Sequence, residues 1–64
     1  MTPTEFKLIR ERADLTQSQL ARVLRLSDSR TIRRYEDGSR AISAPVTIIL
    51  EMLEAGELPE RFRR

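Results

Sequence analysis

A 64-residue chain that contains neither cysteine nor histidine has to hold itself together without a staple. Disulfides are excluded, and carboxylates are the only side chains left to ligate a metal. A chain this short buries only about 60% of its unfolded surface. Its core then rarely supplies more than roughly 3–5 kcal/mol of net stability. A partner chain is the supplement that remains. The same two absences remove a Cys or His nucleophile, a His general base and any Ser-His-Asp set. The two glycines, Gly38 and Gly56, cannot build a phosphate-cradling loop. The expectation is a binding module that is not an enzyme and needs no cofactor. No apolar run approaches the ~18 residues of a membrane span. The N-terminus lacks a basic region followed by an apolar stretch, so a cytoplasmic protein without a membrane partner is expected.

Charge is distributed unevenly behind a net total of +2. Residues 22–40 carry six arginines against Asp28, Glu36 and Asp37. Residues 51–60 hold Glu51, Glu54, Glu57 and Glu60 with no base, and Arg61, Arg63 and Arg64 follow. A basic middle beside an acidic segment is expected when one face meets a polyanion. Eleven of the twelve bases are arginine, the side chain suited to bidentate contacts with phosphate or guanine.

The chain reads as all-α, one domain over residues 1–64. Thr2-Pro3-Thr4-Glu5 is a capping box that opens a helix over about 3–13, with Phe6, Ile9 and Ala13 on one face and Arg10 at its edge. Thr16-Gln17-Ser18-Gln19 is a second capping box, opening a helix over about 17–24 with Leu20, Ala21 and Leu24 apolar. Leu26-Ser27-Asp28-Ser29 interrupts the pattern. A third helix over about 29–37 sets Ile32, Tyr35 and Glu36 against Arg30 and Arg34, and Gly38 ends it. A fourth, over about 45–55, has a core stripe of Val46, Ile49, Leu50 and Leu53 and a second stripe of Ile48, Met52 and Ala55. A short turn or tail covers 57–64.

Two short helices joined by a tight turn, the second with outward arginines, describe a helix-turn-helix. The stretch Leu15-Thr16-Gln17-Ser18-Gln19-Leu20-Ala21-Arg22-Val23-Leu24 resembles the L-T-Q-x-x-L-A-x-x-L of lambda-repressor-like domains of the XRE, or Cro and CI, type. Thr31-Ile32-Arg33-Arg34-Tyr35-Glu36-Asp37-Gly38-Ser39-Arg40 is similar to that family's T-I-x-R-W/Y-E-x-G-x-R. The resemblance implies a compact four- to five-helix DNA-binding domain. The chain departs from the family at two points. Arg25 stands where the family often has Gly, and four residues rather than three separate Leu26 from Thr31. The extra residue either lengthens the turn or joins the third helix.

Counting outward from Ile32, the exposed positions are Ser29, Arg30, Arg33 and Arg34, the candidate base readers of a helix in the major groove. The resemblance implies phosphate contacts from the amides of Thr16, Gln17 and Ser18, from the Gln17 side chain, and from Arg40. Arg22 and Arg25 face solvent on the second helix. The resemblance also implies a partly buried ion pair between Arg10 and Glu36. Ile48, Met52, Leu58 and Phe62 have no evident internal partner, and a homodimer contact through these four is expected; Leu8 is likewise unplaced. The function expected is a homodimeric repressor of its own or a neighbouring operon on a palindromic operator in double-stranded DNA. Small phage autorepressors associated with anti-CRISPR genes show a weaker similarity. The alternative is an antitoxin or other protein-binding module with a protein partner and secondary DNA binding.

Overall fold

The computed structural model describes residues 1–62. Among them it places four α-helices, a closing 3₁₀ turn and no strand: α1 (Pro3–Arg12), α2 (Gln17–Val23), α3 (Arg30–Asp37), α4 (Ala44–Ala55) and the turn Glu60–Phe62.

Local chemistry sets where each helix begins. In α1 the Thr2 hydroxyl accepts from the Glu5 amide at 3.1 Å, and Glu5 Oε1 accepts from the Thr2 amide at 3.0 Å. Thr16 and Gln19 repeat this reciprocal pair at the start of α2, at 3.1 and 2.8 Å. Both satisfy amide donors that a helix start leaves without partners. Ser43 caps α4 by accepting from the Val46 amide. The start of α3 is different: the Ser29 side chain makes no cap bond, and Asp28 Oδ1 accepts from the Arg30 amide at 2.9 Å.

The helices stop at residues with left-handed backbone. Asp14 and Arg25 sit at φ 60°, and Gly38 and Gly56 at 82° and 73°. After α2, the Leu26 amide donates to Ala21 O at 2.8 Å and the Arg25 amide to Arg22 O at 3.1 Å. This paired pattern closes a helix around one left-handed residue. The same two bonds close α1 around Asp14 and α4 around Gly56.

These stops shorten two expected helices. α1 ends at Arg12 rather than 13, and α2 at Val23 rather than 24. The extra residue before Thr31 lengthens the turn. Residues 27–29 are bends, and Ser29 precedes α3 instead of forming its first residue.

The core draws on every helix. Phe6 and Ile9 come from α1, Leu20, Ala21 and Val23 from α2, Ile32 and Tyr35 from α3, and Leu50 and Leu53 from α4. The Phe6 and Tyr35 rings meet at 5.3 Å between centroids, tilted by 54°, which fastens α1 to α3. Two expectations about apolar residues change. Val23 is buried while Leu24 is only half-buried, and Val23 lines a groove with Ile49, Met52, Leu58 and Phe62. Leu58, read as lacking an internal partner, is half-buried and packs against the core. The segment after Gly56 folds back and carries it there. Among the described residues, no helix is long and apolar enough to cross a membrane.

Candidate nucleic-acid interface

The α2–turn–α3 unit presents one helix supported by another. Ile32 and Tyr35 fix the inner face of α3 in the core, so Arg30, Arg33 and Arg34 stand exposed on its outer side. The side chains of Arg33 and Arg34 make no hydrogen bond or ion pair among the described residues, so both guanidinium groups keep their donors for an outside acceptor. Ser29 is half-buried ahead of the helix, lining a crevice with Ser18, Arg22 and Asp28.

Arg30 is engaged locally. Its Nε and Nη2 donate to Asp28 Oδ2 at 3.1 and 2.9 Å. The Arg30 side-chain bond, then its amide, hold the Asp28 carboxyl below the usual aspartate range, and the Arg30 guanidinium is pushed up in turn by Asp28. A sequence signal for this pair exists: Asp two residues before a helix-opening Arg is an Asx-turn pattern.

Beneath this face, Glu36 gathers three donors. Arg10 Nε reaches Glu36 Oε2 at 2.6 Å, and Arg10 Nη2 reaches Oε1 at 3.2 Å. Gln17 Nε2 donates to the same Oε1 at 3.1 Å. Arg10 Nη1 turns back to Leu15 O at 2.9 Å, tying down the chain just before α2. The Arg10 and Glu36 side chains are only 12% and 7% exposed. This network links α1, α2 and α3 at the edge of the candidate interface. Charges so far from water require such complete pairing.

The start of α2 corrects one expected contact. The Thr16 amide is not free, because it donates to Gln19 Oε1. The capping box itself consumes that donor. The amides of Gln17 and Ser18 have no protein acceptor among the described residues. Gln17 keeps its second side-chain N–H beyond the one given to Glu36. Arg40 is exposed beyond Gly38, its amide bonded to Arg34 O at 3.2 Å.

Arg22 and Arg25 are both exposed, and Arg25 is tied into the fold. Its guanidinium lies 5.7 Å from the Phe62 ring centre, and its Nη1 donates to Arg22 O. Arg61 lies 5.0 Å from the same ring. Arg63 and Arg64 fall outside the described residues.

The residues expected at a dimer contact divide. Met52, Leu58 and Phe62 line a groove of about 300 Å³ with Val23, Ile49 and Pro59. Ile48 stands apart, 58% exposed. Leu8 lies elsewhere, in a groove between α1 and α4 with Met1 and Ile9, where Arg12 faces Glu54 at 3.8 Å.

A short helix held by capping, then a turn and a basic outward helix, define a DNA-binding helix-turn-helix domain. The family model described as a helix-turn-helix domain matches residues 4–61. The chain belongs to that family, which is of the Cro/CI/XRE type. No curated protein and no solved structure matches it.

Proposed function

We propose that the chain is a sequence-specific transcriptional regulator, a homodimeric repressor of its own or a neighbouring operon. The observation that carries this reading is the outer face of α3, where Arg33 and Arg34 are exposed and make no side-chain hydrogen bond or ion pair among the described residues, on a helix anchored by Ile32 and Tyr35. A helix of this kind fits the major groove with its N-terminal half toward base edges. Arg30, Arg33 and Arg34 read bases, with Ser29 at the edge of that surface. Each bidentate arginine–guanine pair contributes about 1–3 kcal/mol of discrimination. The amides of Gln17 and Ser18, the second N–H of the Gln17 side chain, and Arg40 hold flanking phosphates, which set register rather than sequence.

Homodimerisation supplies the second half-site. The exposed Ile48, one turn before Met52 on α4, is the surface proposed for it. Paired recognition helices stand about 34–36 Å apart on a palindrome. A domain of 29 × 22 × 20 Å is of the size that side-by-side packing requires. The role is binding, without catalysis. Footprinting on DNA upstream of its own gene, repeated across salt, tests the reading. Protection of a palindrome that weakens steeply with salt supports it, because phosphate contacts release counterions. Uniform protection at every salt concentration rejects it.

A further inference from the structure

Base reading by Arg30 belongs to the function proposed above, and the role inferred for Asp28 rests on that reading. The Arg30 side chain is not a loose lever on the helix surface. Two of its donors, Nε and Nη2, converge on Asp28 Oδ2, while Asp28 Oδ1 takes the Arg30 amide. One carboxylate therefore fixes both the backbone and the guanidinium of the same residue.

The geometry of that grip decides what is left over. A guanidinium offers two edges for bidentate contact: the side edge, Nε with Nη2, and the end edge, Nη1 with the other hydrogen of Nη2. Asp28 occupies the side edge. The end edge keeps two parallel N–H groups, a match for the O6 and N7 acceptors of guanine. An arginine on a four-bond stem otherwise loses side-chain entropy when it binds a base, and ordering it beforehand removes that loss from the binding step. Arg33 stands close enough to act on the Asp28 charge but makes no hydrogen bond to it, so the grip is particular to Arg30.

We propose that Asp28 is a positioning residue for specificity, holding Arg30 so that its end edge faces guanine at one position of each half-site. Asp28 also carries a negative charge at the leading end of the recognition helix, where it disfavours phosphate as an alternative acceptor for that arginine. The device costs some affinity for DNA in general and favours one base in particular.

The test is selection from a randomised duplex pool by the full chain, with sequencing of the bound DNA, for wild type, Asp28→Asn, Asp28→Ser and Arg30→Ala. Urea midpoints are measured alongside. Asn and Ser each keep an oxygen to cap the Arg30 amide but lose the carboxylate that grips the guanidinium. The wild type is expected to prefer guanine at one position per half-site by about 5- to 100-fold. Arg30→Ala removes that preference. Both Asp28 variants lower it at least about 3-fold, with the other positions unchanged and the urea midpoint only slightly lowered. Full retention of the preference in both Asp28 variants, or tighter binding to every sequence with the same base profile, overturns the proposal. An unchanged profile in Arg30→Ala overturns it too, while preferences at other positions leave the regulator reading standing. A wild type with no base preference anywhere overturns both.

Discussion

Arg10 and Glu36 meet across 26 residues of chain through two hydrogen bonds, Nε to Oε2 at 2.6 Å and Nη2 to Oε1 at 3.2 Å. The pair joins the first helix to the recognition helix on the side where Gln17 also attaches. Replacing Glu36 with Ala leaves Arg10 and the Gln17 amide without their acceptor. Breaking a buried pair in this way costs about 3–5 kcal/mol, as much as the roughly 3–5 kcal/mol that a core of this size rarely exceeds. Glu36→Ala is expected to be largely unfolded in the absence of urea. The double variant Arg10→Met with Glu36→Leu recovers most of the loss, because it removes both buried charges. Urea titrations monitored by circular dichroism check both, and an unchanged midpoint in Glu36→Ala contradicts the pairing.

Arg25 sits at φ 60° in the turn after α2, with its guanidinium over Phe62. Left-handed backbone costs an ordinary residue about 1–2 kcal/mol, and glycine escapes that cost. Arg25→Ala keeps the strained backbone and loses the ring contact, so it destabilises. Arg25→Gly loses the contact but relieves the backbone. Glycine is therefore expected to be more stable than alanine at this position by about 1 kcal/mol, the reverse of their order inside a helix. Thermal or urea unfolding of the two variants measures the difference directly.

Three exposed carboxylates give a defined pH dependence. Glu5 is held below its ordinary value of 4.5 by the Thr2 amide and then its hydroxyl. Asp28 is held below 3.8 by the Arg30 side chain and then its amide, and Asp37 likewise by the Ser39 side chain and amide. With folded values below unfolded ones, the folded chain binds fewer protons in the window beneath the unfolded values. Their contribution is complete above that window and lost as pH falls through the folded values. Stability is expected to be level in this respect near neutrality and to decline below about pH 4.5. A triple variant, Glu5→Gln, Asp28→Asn and Asp37→Asn, should show a shallower acid slope in urea midpoint against pH. An identical slope counts against these bonds.

Much of the fold is legible in the sequence because its signals are local. The two capping boxes, Gly38 and Gly56 act within four residues of themselves, and they mark helix ends to within a residue or so. The burial of Ile32 and Tyr35 comes from spacing on one helix. The burial of Val23 and the partial burial of Leu58 do not, because both residues line the groove formed where the segment after Gly56 meets α2 and α4. Family resemblance places Glu36 beside Arg10, whereas its bond to Gln17 spans 19 residues and has no local signature. Thr16 shows the opposite failure. A capping box already implies that its amide is taken by Gln19, and reading that amide as free for phosphate conflicts with the box itself.

The proposed dimer makes a hydrodynamic prediction. At micromolar concentration the wild type should scatter light as twice its 7.5 kDa chain mass. Ile48→Glu should scatter as a single chain with unchanged helical circular dichroism, since Ile48 lies outside the core. A wild type at the mass of one chain removes the dimer.

The most direct measurement of DNA reading is the ratio of affinities for a selected site and for random DNA of the same length, taken at one fixed salt concentration. The expected ratio is about 1,000 or more for wild type. It should collapse toward unity in a variant with Arg33→Ala and Arg34→Ala. Equal affinity of the wild type for both DNAs contradicts a sequence-specific regulator.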